Sequence, residues 1–336
     1  MNHRFSQPSG GVNKPASLRA LLKTEKTIAL PGAFNAISAQ IIQDVGFKAV
    51  YVSGAGIANG VGGYPDIGMM TAAEMAEQAG YIARSVAVPA IADADNGYGE
   101  AINVYRTVQE YERAGLSGLH LEDQIIPKRC GHLDGKRVIA PEHMCEKIAA
   151  AIEARLNPDF LIIARVDSRS VNGFDDAVHR ANLYKDAGAD MIFPEALMGR
   201  EEFAEFARQV KLPLLANMTE FGKTPYISVA EFSEMGYAIV LFPMTAFRIM
   251  MKSVNDGMRM LYEQGSQLDL LDRMTSRETL YELVRYHEYE RLDASLATQY
   301  SFPSTVKDAI SGNGVSNIIP GESSSEEPAS VPRKLY

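Results

Sequence analysis

The sequence predicts an α/β chain folded as a (β/α)8 barrel of the TIM type, with an additional helical region at its C-terminal end. Three observations lead there. Short β-branched or apolar runs alternate with longer amphipathic stretches, the pattern that parallel βα units require. Eight such units follow one another, the number that closes a barrel. Charged and polar residues collect where the apolar runs end, and that is where such barrels carry their sites. The rival is a doubly wound open sheet. It carries a glycine-rich loop after its first strand, whereas here that place reads PGAFNA, without GxGxxG.

Taken in order, residues 1–17 hold Ser, Gly and Pro without an apolar run, so a disordered tail is expected and a secretory signal is not. No acidic residue precedes Glu25, a feature shared with mitochondrial transit peptides. Strands are expected at 27–33, 48–53, 89–93, 118–122, 160–166, 191–195, 213–217 and 238–242. Helical patterns cover Ala72–Arg84, Glu100–Ala114, Pro141–Arg155, Phe174–Ala187 and Thr245–Gln264. Glycines close several of these units, at Val45-Gly46, Ala114-Gly115 and Ala187-Gly188, because glycine tolerates the left-handed conformation of a helix C-cap. Residues 275–298 carry too many apolar and aromatic positions for a solvated tail, among them Leu280, Tyr281, Leu283, Val284 and Tyr286. They are expected to pack on the barrel or on a neighbouring subunit. Residues 299–336 read as a flexible tail, of low complexity from 311 onward. The domain assignment is therefore a tail over 1–17, a barrel domain with its C-terminal helices over 18–298, and a tail over 299–336.

Composition narrows the function classes. The chain has 336 residues and a net charge of −9, which argues against binding a nucleic-acid backbone. Anionic small molecules remain compatible, because a few cations can be focused inside an acidic protein. No apolar run approaches the roughly 18–20 residues of a membrane span. The two cysteines, Cys130 and Cys145, form no CxxC, so a disulfide framework or structural zinc is not expected and a reducing compartment, the cytoplasm, fits best. Cys145 lies on the apolar side of a predicted helix and reads as core.

The predicted strand ends are dense in polar residues: Tyr51-Val52-Ser53-Gly54-Ala55-Gly56, Asp93-Ala94-Asp95, Glu122-Asp123, Arg165-Val166-Asp167, Glu195 and Asn217-Met218-Thr219. Any one of them could be a helix cap. Six ends agreeing is harder to explain that way, and Arg165 and Glu195 sit within apolar strands where an unpartnered charge is costly. Asp93 and Asp95, two apart, would point the same way from one strand. With Glu122 from the neighbouring strand they make a three-carboxylate cluster whose members raise one another's pKa. A divalent cation resolves that, and all-oxygen ligands favour Mg²⁺ or Mn²⁺ over zinc. A shared proton or an arginine partner is the alternative.

The loop after the fourth strand reads Lys128-Arg129-Cys130-Gly131-His132. Two cations beside a cysteine favour thiolate and attract an anion. Gly131 allows close approach of the backbone to a ligand, and His132 can position the thiol or share its proton. An exposed, inert basic loop is the bland alternative.

Together these residues resemble the isocitrate lyase and phosphoenolpyruvate mutase superfamily. The similarity runs from about Leu18 to Leu296, on YVSGAG (51–56), PDIG (65–68), DADNGYG (93–99), GLHLEDQ (118–124), PKRCGH (127–132), ARVDS (164–168), FPEA (193–196), NMTEFG (217–222) and FPMTAFR (242–248). The CGH loop with DAD points to the carbon–carbon lyase branch, since the mutases lack that cysteine. Within the branch the methylisocitrate lyase family is the most similar. Isocitrate lyases are longer and typically read Lys-Lys-Cys-Gly-His, where this chain has Arg129. Two further departures stand out, of which the second lies near the substrate. Ala55 replaces the last residue of Ser-Gly-Gly, and Leu133-Asp134-Gly135-Lys136 replaces Arg-Pro-Asn-Lys.

The resemblance implies a barrel whose last helix is exchanged between paired subunits, usually in a homotetramer. It implies Mg²⁺ on Asp93 and Asp95 with Glu122 near it, and a pyruvate-like end held by Ser53, Gly54 and Ala55. Cys130 and Gly131 would contact a succinate-like part, and Arg165, Glu195, Asn217, Thr219, Arg248 and Arg277 would complete the pocket. The implied reaction is retro-Claisen cleavage of 2-methylisocitrate to pyruvate and succinate, within propionate catabolism by a methylcitrate pathway. Tyr51 is favoured as base, with Glu122 acting through water as rival, and Cys130, flanked by Lys128, Arg129 and His132, as acid. Residues 123–140 are expected to act as a lid. Relatives acting on 2,3-dimethylmalate or oxaloacetate, a mutase-type isomerase, and a non-catalytic carboxylate-binding barrel remain as alternatives.

Overall fold

The computed structural model describes residues 13–133 and 135–299. All eight expected strands are present: β1 (Ile28–Ala33), β2 (Val50–Val52), β3 (Ala90–Asp93), β4 (Gly118–Glu122), β5 (Leu161–Val166), β6 (Met191–Pro194), β7 (Leu215–Asn217) and β8 (Ile239–Phe242). Every pairing is parallel, in the order β6-β5-β4-β3-β2-β1-β8-β7. A single parallel bridge, Ile192 to Leu214, closes the ring between β6 and the approach to β7. The fold is therefore a TIM-type barrel.

The helices in chain order are α1 (Lys14–Thr24), α2 (Ala36–Val45), α3 (Gly54–Ile57), α4 (Ala72–Ser85), α5 (Ala101–Arg113), α6 (Pro141–Ala154), α7 (Arg169–Asn172), α8 (Phe174–Asp186), α9 (Arg200–Gln209), α10 (Val229–Glu234), α11 (Thr245–Gln264), α12 (Arg277–Leu283) and α13 (Tyr286–Gln299). None is long and apolar enough to cross a membrane. Helix α1 starts inside the stretch assigned to the N-terminal tail. Asn13 caps it by accepting the Ala16 N–H at 3.1 Å, and Pro15 stands in its first turn, where a missing N–H costs nothing. The rest of that expected tail, residues 1–12, and the C-terminal one from residue 300 lie outside the described residues. The expected glycine caps at Gly46, Gly115 and Gly188 have φ of 109°, 98° and 105°.

The chain divides between Thr275 and Ser276 into two compact units. In the second, Tyr281 of α12 stacks on Tyr286 of α13, with ring centroids 4.4 Å apart.

Within the first unit, strand alternation sorts the core into two layers. Ile162, Ala164 and Val166 of β5 face the helices, with Leu119 and Leu121 of β4. The barrel interior takes the other set: Ile28, Leu30, Ala49, Tyr51, Ile91, Leu161, Ile163, Met191, Phe193, Leu215, Ile239 and Leu241. Leu18 of α1 is buried against that set, with Leu21 and Leu22 beside it, so α1 stoppers the N-terminal mouth. Following the same period of two toward the C-terminal mouth, apolar residues give way to polar ones. Leu161-Ile163 leads to Arg165, Met191-Phe193 to Glu195, Ile91 to Asp93, Gly118 to His120 and Glu122, and Leu215 to Asn217. The apolar layers fill the barrel; the polar layer is the site.

Candidate active site

The C-terminal mouth brings together residues from six of the eight strand ends. In register, Asp93 lies beside His120, and Glu122 beside Arg165. Arg165 is buried and multiply paired. It donates to Asp167 from Nε and Nη2 at 2.8 and 3.1 Å, and stands 3.2 Å from Glu122 and 3.4 Å from Glu195. Its guanidinium also lies 5.2 Å from the centre of the Phe193 ring. This is how an arginine is tolerated in a barrel core: its charge is shared among carboxylates that are themselves buried.

Those carboxylates do not respond alike. Despite the cost of burial, the Arg165 charge and the His132 contact hold Glu195 well below the ordinary carboxyl range. Asn217 Nδ2 donates to Glu195 Oε2 at 3.2 Å, and Thr219 donates its N–H to Asn217 Oδ1 at 3.0 Å. Glu122 moves the other way. Burial pushes its carboxyl well above 4.5, and Arg165 only partly offsets that. Neither Glu122 oxygen receives a hydrogen bond; the Arg165 contact is an ion pair outside hydrogen-bond geometry.

Asp93 ends β3 and accepts the Asp95 N–H at 2.9 Å. Asp95 corrects the expectation of two aligned carboxylates. It lies beyond the strand with φ of 45°, so strand alternation does not set its direction. It pairs instead with Lys128 at 2.8 Å. Lys128 also binds Asp66, and its side chain is 4% exposed. Lys128 is thus spent on two aspartates rather than standing free beside the cysteine. Burial, and after it the Asp93 and Asp66 charges opposed by Lys128, raises the Asp95 carboxyl.

Among the described residues, no three His, Cys, Asp or Glu side chains converge as a complete cage for a metal ion. The donors suit a hydrated hard cation instead, because Mg²⁺ keeps several waters and is held by one or two carboxylates. Asp93, together with Glu122, neither of whose oxygens receives a hydrogen bond, would offer such an ion oxygen ligands, while Asp95 is paired with Lys128.

The cysteine loop departs from expectation in its electrostatics. Cys130 is exposed at the mouth; partial desolvation and the Glu195 charge still shift its thiol upward, against the His132 backbone N–H and Arg165. The neutral thiol is favoured, not the thiolate. Nor does the His132 ring engage the sulfur: its Nε2 is 2.9 Å from Glu195, and its Nδ1 accepts the Lys223 N–H at 3.0 Å. Arg129 is held by its backbone, which exchanges hydrogen bonds of 2.8 and 2.9 Å with the Gln124 side chain. Gly131 is required sterically. A Cβ there would lie 2.4 Å from Glu195 Cγ and 2.5 Å from Arg165 Nη2.

Within the same mouth, the Tyr51 hydroxyl is 2.8 Å from His120 Nε2, the two rings stacked at 5.7 Å. Burial and the Asp93 charge raise the Tyr51 phenol well above 10, so it stays protonated. Burial and Arg165 drive His120 down to about 3, so it stays neutral. Ser53 caps α3 by accepting the Gly56 N–H at 3.1 Å. Gly54 lets the backbone press against Asp93, since a Cβ would lie 2.6 Å from Oδ2. Ala55 follows it in the same short helix. Arg248 of α11 is 3.4 Å from Glu220 and 5.2 Å from the Phe221 ring centre. Arg277 opens α12 in the second unit.

Four residues escaped the sequence reading of the site: Asp66, His120, Lys136 and Asp167. His120 carried a signal, since its position two before Glu122 puts it on the interior face of β4. Asp167 stands at one of the polar strand ends, where a helix cap is the alternative reading. Asp66, in a glycine- and proline-bearing loop, and Lys136, beyond the CGH turn, had no periodicity to reveal them.

Known proteins resemble this chain over most of its length. The phosphoenolpyruvate phosphomutase family model matches residues 18–262. The 2-methylisocitrate lyase of Aeropyrum pernix is 52% identical over 280 residues, 83% of this chain and 90% of that protein. The crystal structure of 2,3-dimethylmalate lyase superposes with a TM-score of 0.80 at 37% identity, covering 85% of this chain and 96% of that one. Phosphonopyruvate hydrolase, solved as a complex with oxalate and Mg²⁺, superposes with a TM-score of 0.77 at 27% identity, covering 84% and 99%. The chain belongs to the phosphoenolpyruvate mutase and isocitrate lyase superfamily.

Proposed function

We propose that this chain is a Mg²⁺-dependent carbon–carbon lyase that cleaves 2-methylisocitrate into pyruvate and succinate, with Mn²⁺ as a possible substitute ion. One observation carries the proposal: Cys130 sits on a glycine turn that packs directly against Arg165 and Glu195. That is the placement of an acid facing an anion-binding centre. A bound Mg²⁺, held by Asp93 and Asp95 with Glu122 near it, supplies Lewis acidity toward the substrate hydroxyl and its neighbouring carboxylate.

The protein's own groups do the rest. Glu122, acting through water, takes the hydroxyl proton, because the Tyr51 phenol is held protonated and hydrogen-bonded to His120. Arg165 stabilises the oxygen that becomes the keto group. The C2–C3 bond breaks, its electron pair passing to the succinate fragment as an enediolate. Cys130 delivers a proton to that carbon. Ser53, Gly54 and Ala55 hold the pyruvate end. Glu195, Asn217, Thr219 and Arg248 bind and orient the remaining carboxylates. Lys128 and His132 fix the loop through Asp66, Asp95 and Glu195, and Arg129 through Gln124.

The test is pyruvate release coupled to lactate dehydrogenase, with 2-methylisocitrate and 2,3-dimethylmalate, each with and without EDTA, while cleavage of oxaloacetate is followed by release of oxalate. Isocitrate is followed by glyoxylate. EDTA-sensitive release from 2-methylisocitrate is expected. Turnover chiefly of 2,3-dimethylmalate would move the substrate to the second reading, which the structural likeness to 2,3-dimethylmalate lyase favours. No cleavage of any acid would overturn the lyase assignment. The proposal extends to a cytoplasmic homotetramer whose subunits exchange their C-terminal helices; a light-scattering mass of four chains is expected, and that of one chain would refute it.

A further inference from the structure

Lys136 lies five residues beyond Gly131, in the segment expected to act as a lid. Its side chain is 1% exposed. Nζ donates to the Gly131 carbonyl at 2.6 Å and to Asp167 Oδ1 at 2.8 Å. An ammonium so buried is costly unless its donors are used, and here they join two parts of the site. Asp167 is the carboxylate that grips Arg165 through two hydrogen bonds. Its position is fixed from behind: its backbone N–H donates to Asp123 Oδ1 at 2.8 Å, and Asp123 takes the Tyr184 hydroxyl at 2.8 Å and Arg180 at 3.2 Å.

We propose that Lys136 is a positioning residue that clasps the Cys130–Gly131 turn to the end of β5, setting the thiol's place relative to Arg165. The loop's other ties run elsewhere. Lys128 reaches Asp66 and Asp95, Gln124 reaches the Arg129 backbone, and His132 reaches Glu195 and Lys223. Lys136 acts on the carbonyl next to Cys130 and, by sharing Asp167, leaves Arg165 able to face Glu122 and Glu195 as well. Without it the Gly131 carbonyl loses that donor, and the Asp167 charge falls on Arg165 alone.

The kinetic arm of the test rests on the lyase reading; the exchange arm does not. Amide hydrogen exchange of segment 125–139 is compared with that of α6 in wild type, K136M and K136R, and kcat and KM for 2-methylisocitrate are measured. In K136M, exchange in 125–139 is expected to quicken about tenfold with α6 unchanged. Its kcat should fall about 10- to 100-fold while KM moves less than about threefold. K136R, which keeps a cationic donor, should recover most of both. If K136M leaves exchange and kcat within about twofold of wild type, or if α6 loosens equally and K136R rescues neither, the clasp is refuted. If wild type cleaves none of the acids tested, the exchange comparison still decides the clasp, so the two failures remain distinct. Should K136M fail to fold, K136R against wild type carries the comparison: loop exchange accelerated as in a disordered segment would refute the cationic clasp, and protection near wild type would support it.

Discussion

Cys130 shows how far a residue's chemistry depends on what surrounds it. Read beside Lys128 and Arg129, it is a thiolate; in the fold Lys128 turns to Asp66 and Asp95, and partial desolvation with the Glu195 charge near the exposed sulfur favours the thiol. A neutral thiol has the proton an enediolate needs, so the correction strengthens the acid role. Cys130→Ser removes the acid with little change in shape. It should fold and bind Mg²⁺ as wild type does, and lose about 10²- to 10⁴-fold in kcat. Rapid-quench turnover and Mg²⁺ titration check this; near-normal kcat would end the acid assignment.

At the scale of elements, the mouth depends on β1 approaching the end of β8 without a side chain between them. Gly32 lies where a Cβ would fall 2.1 Å from the Pro243 carbonyl oxygen and 2.6 Å from its carbon. Both atoms are backbone and cannot swing aside. Gly32→Ala should therefore cost about 1–3 kcal/mol or more, the range of overpacked cores, because β1 must shift against both β2 and β8. Urea unfolding measures this, and an unchanged midpoint would show that the junction gives way freely. Displacing β1 also displaces Tyr51, its register partner at Gly32, so stability and turnover should fall together.

Across the whole molecule, the polar layer ties stability to pH. His120 titrates near 3 when folded against 6.5 ordinarily. Between those values the unfolded chain binds a proton that the native chain refuses. His120 therefore contributes its full stability above 6.5, and that contribution is lost as pH falls toward 3. Asp123 works in the opposite sense: burial and the Asp167 charge raise it from 3.8 to about 6, so the native state holds the extra proton there. A substitution separates the two. His120→Gln should flatten the loss of urea stability between about pH 7 and 5; an identical slope in wild type and variant would rule out His120 as its source.

The sequence by itself determined the barrel, its eight strands within about two residues of their ends, and the mouth that carries the chemistry. The reason is local: strand alternation and amphipathic helix faces are properties of neighbouring residues, and a parallel βα repeat leaves few ways to bury them. Strand-borne residues such as Arg165, Glu195 and Asn217 were legible for the same reason, since a polar residue at the end of an apolar run has to face something polar. What only the tertiary structure decided was partnership. Whether Lys128 serves Cys130 or Asp95, whether His132 serves the thiol or Glu195, and that Lys136 meets Asp167 across 31 positions depend on how loops return over the barrel. Those returns are set by desolvation and by long-range ion pairing. Neither leaves a period in the chain, so the identities of the charges were written in the sequence and their pairings were not.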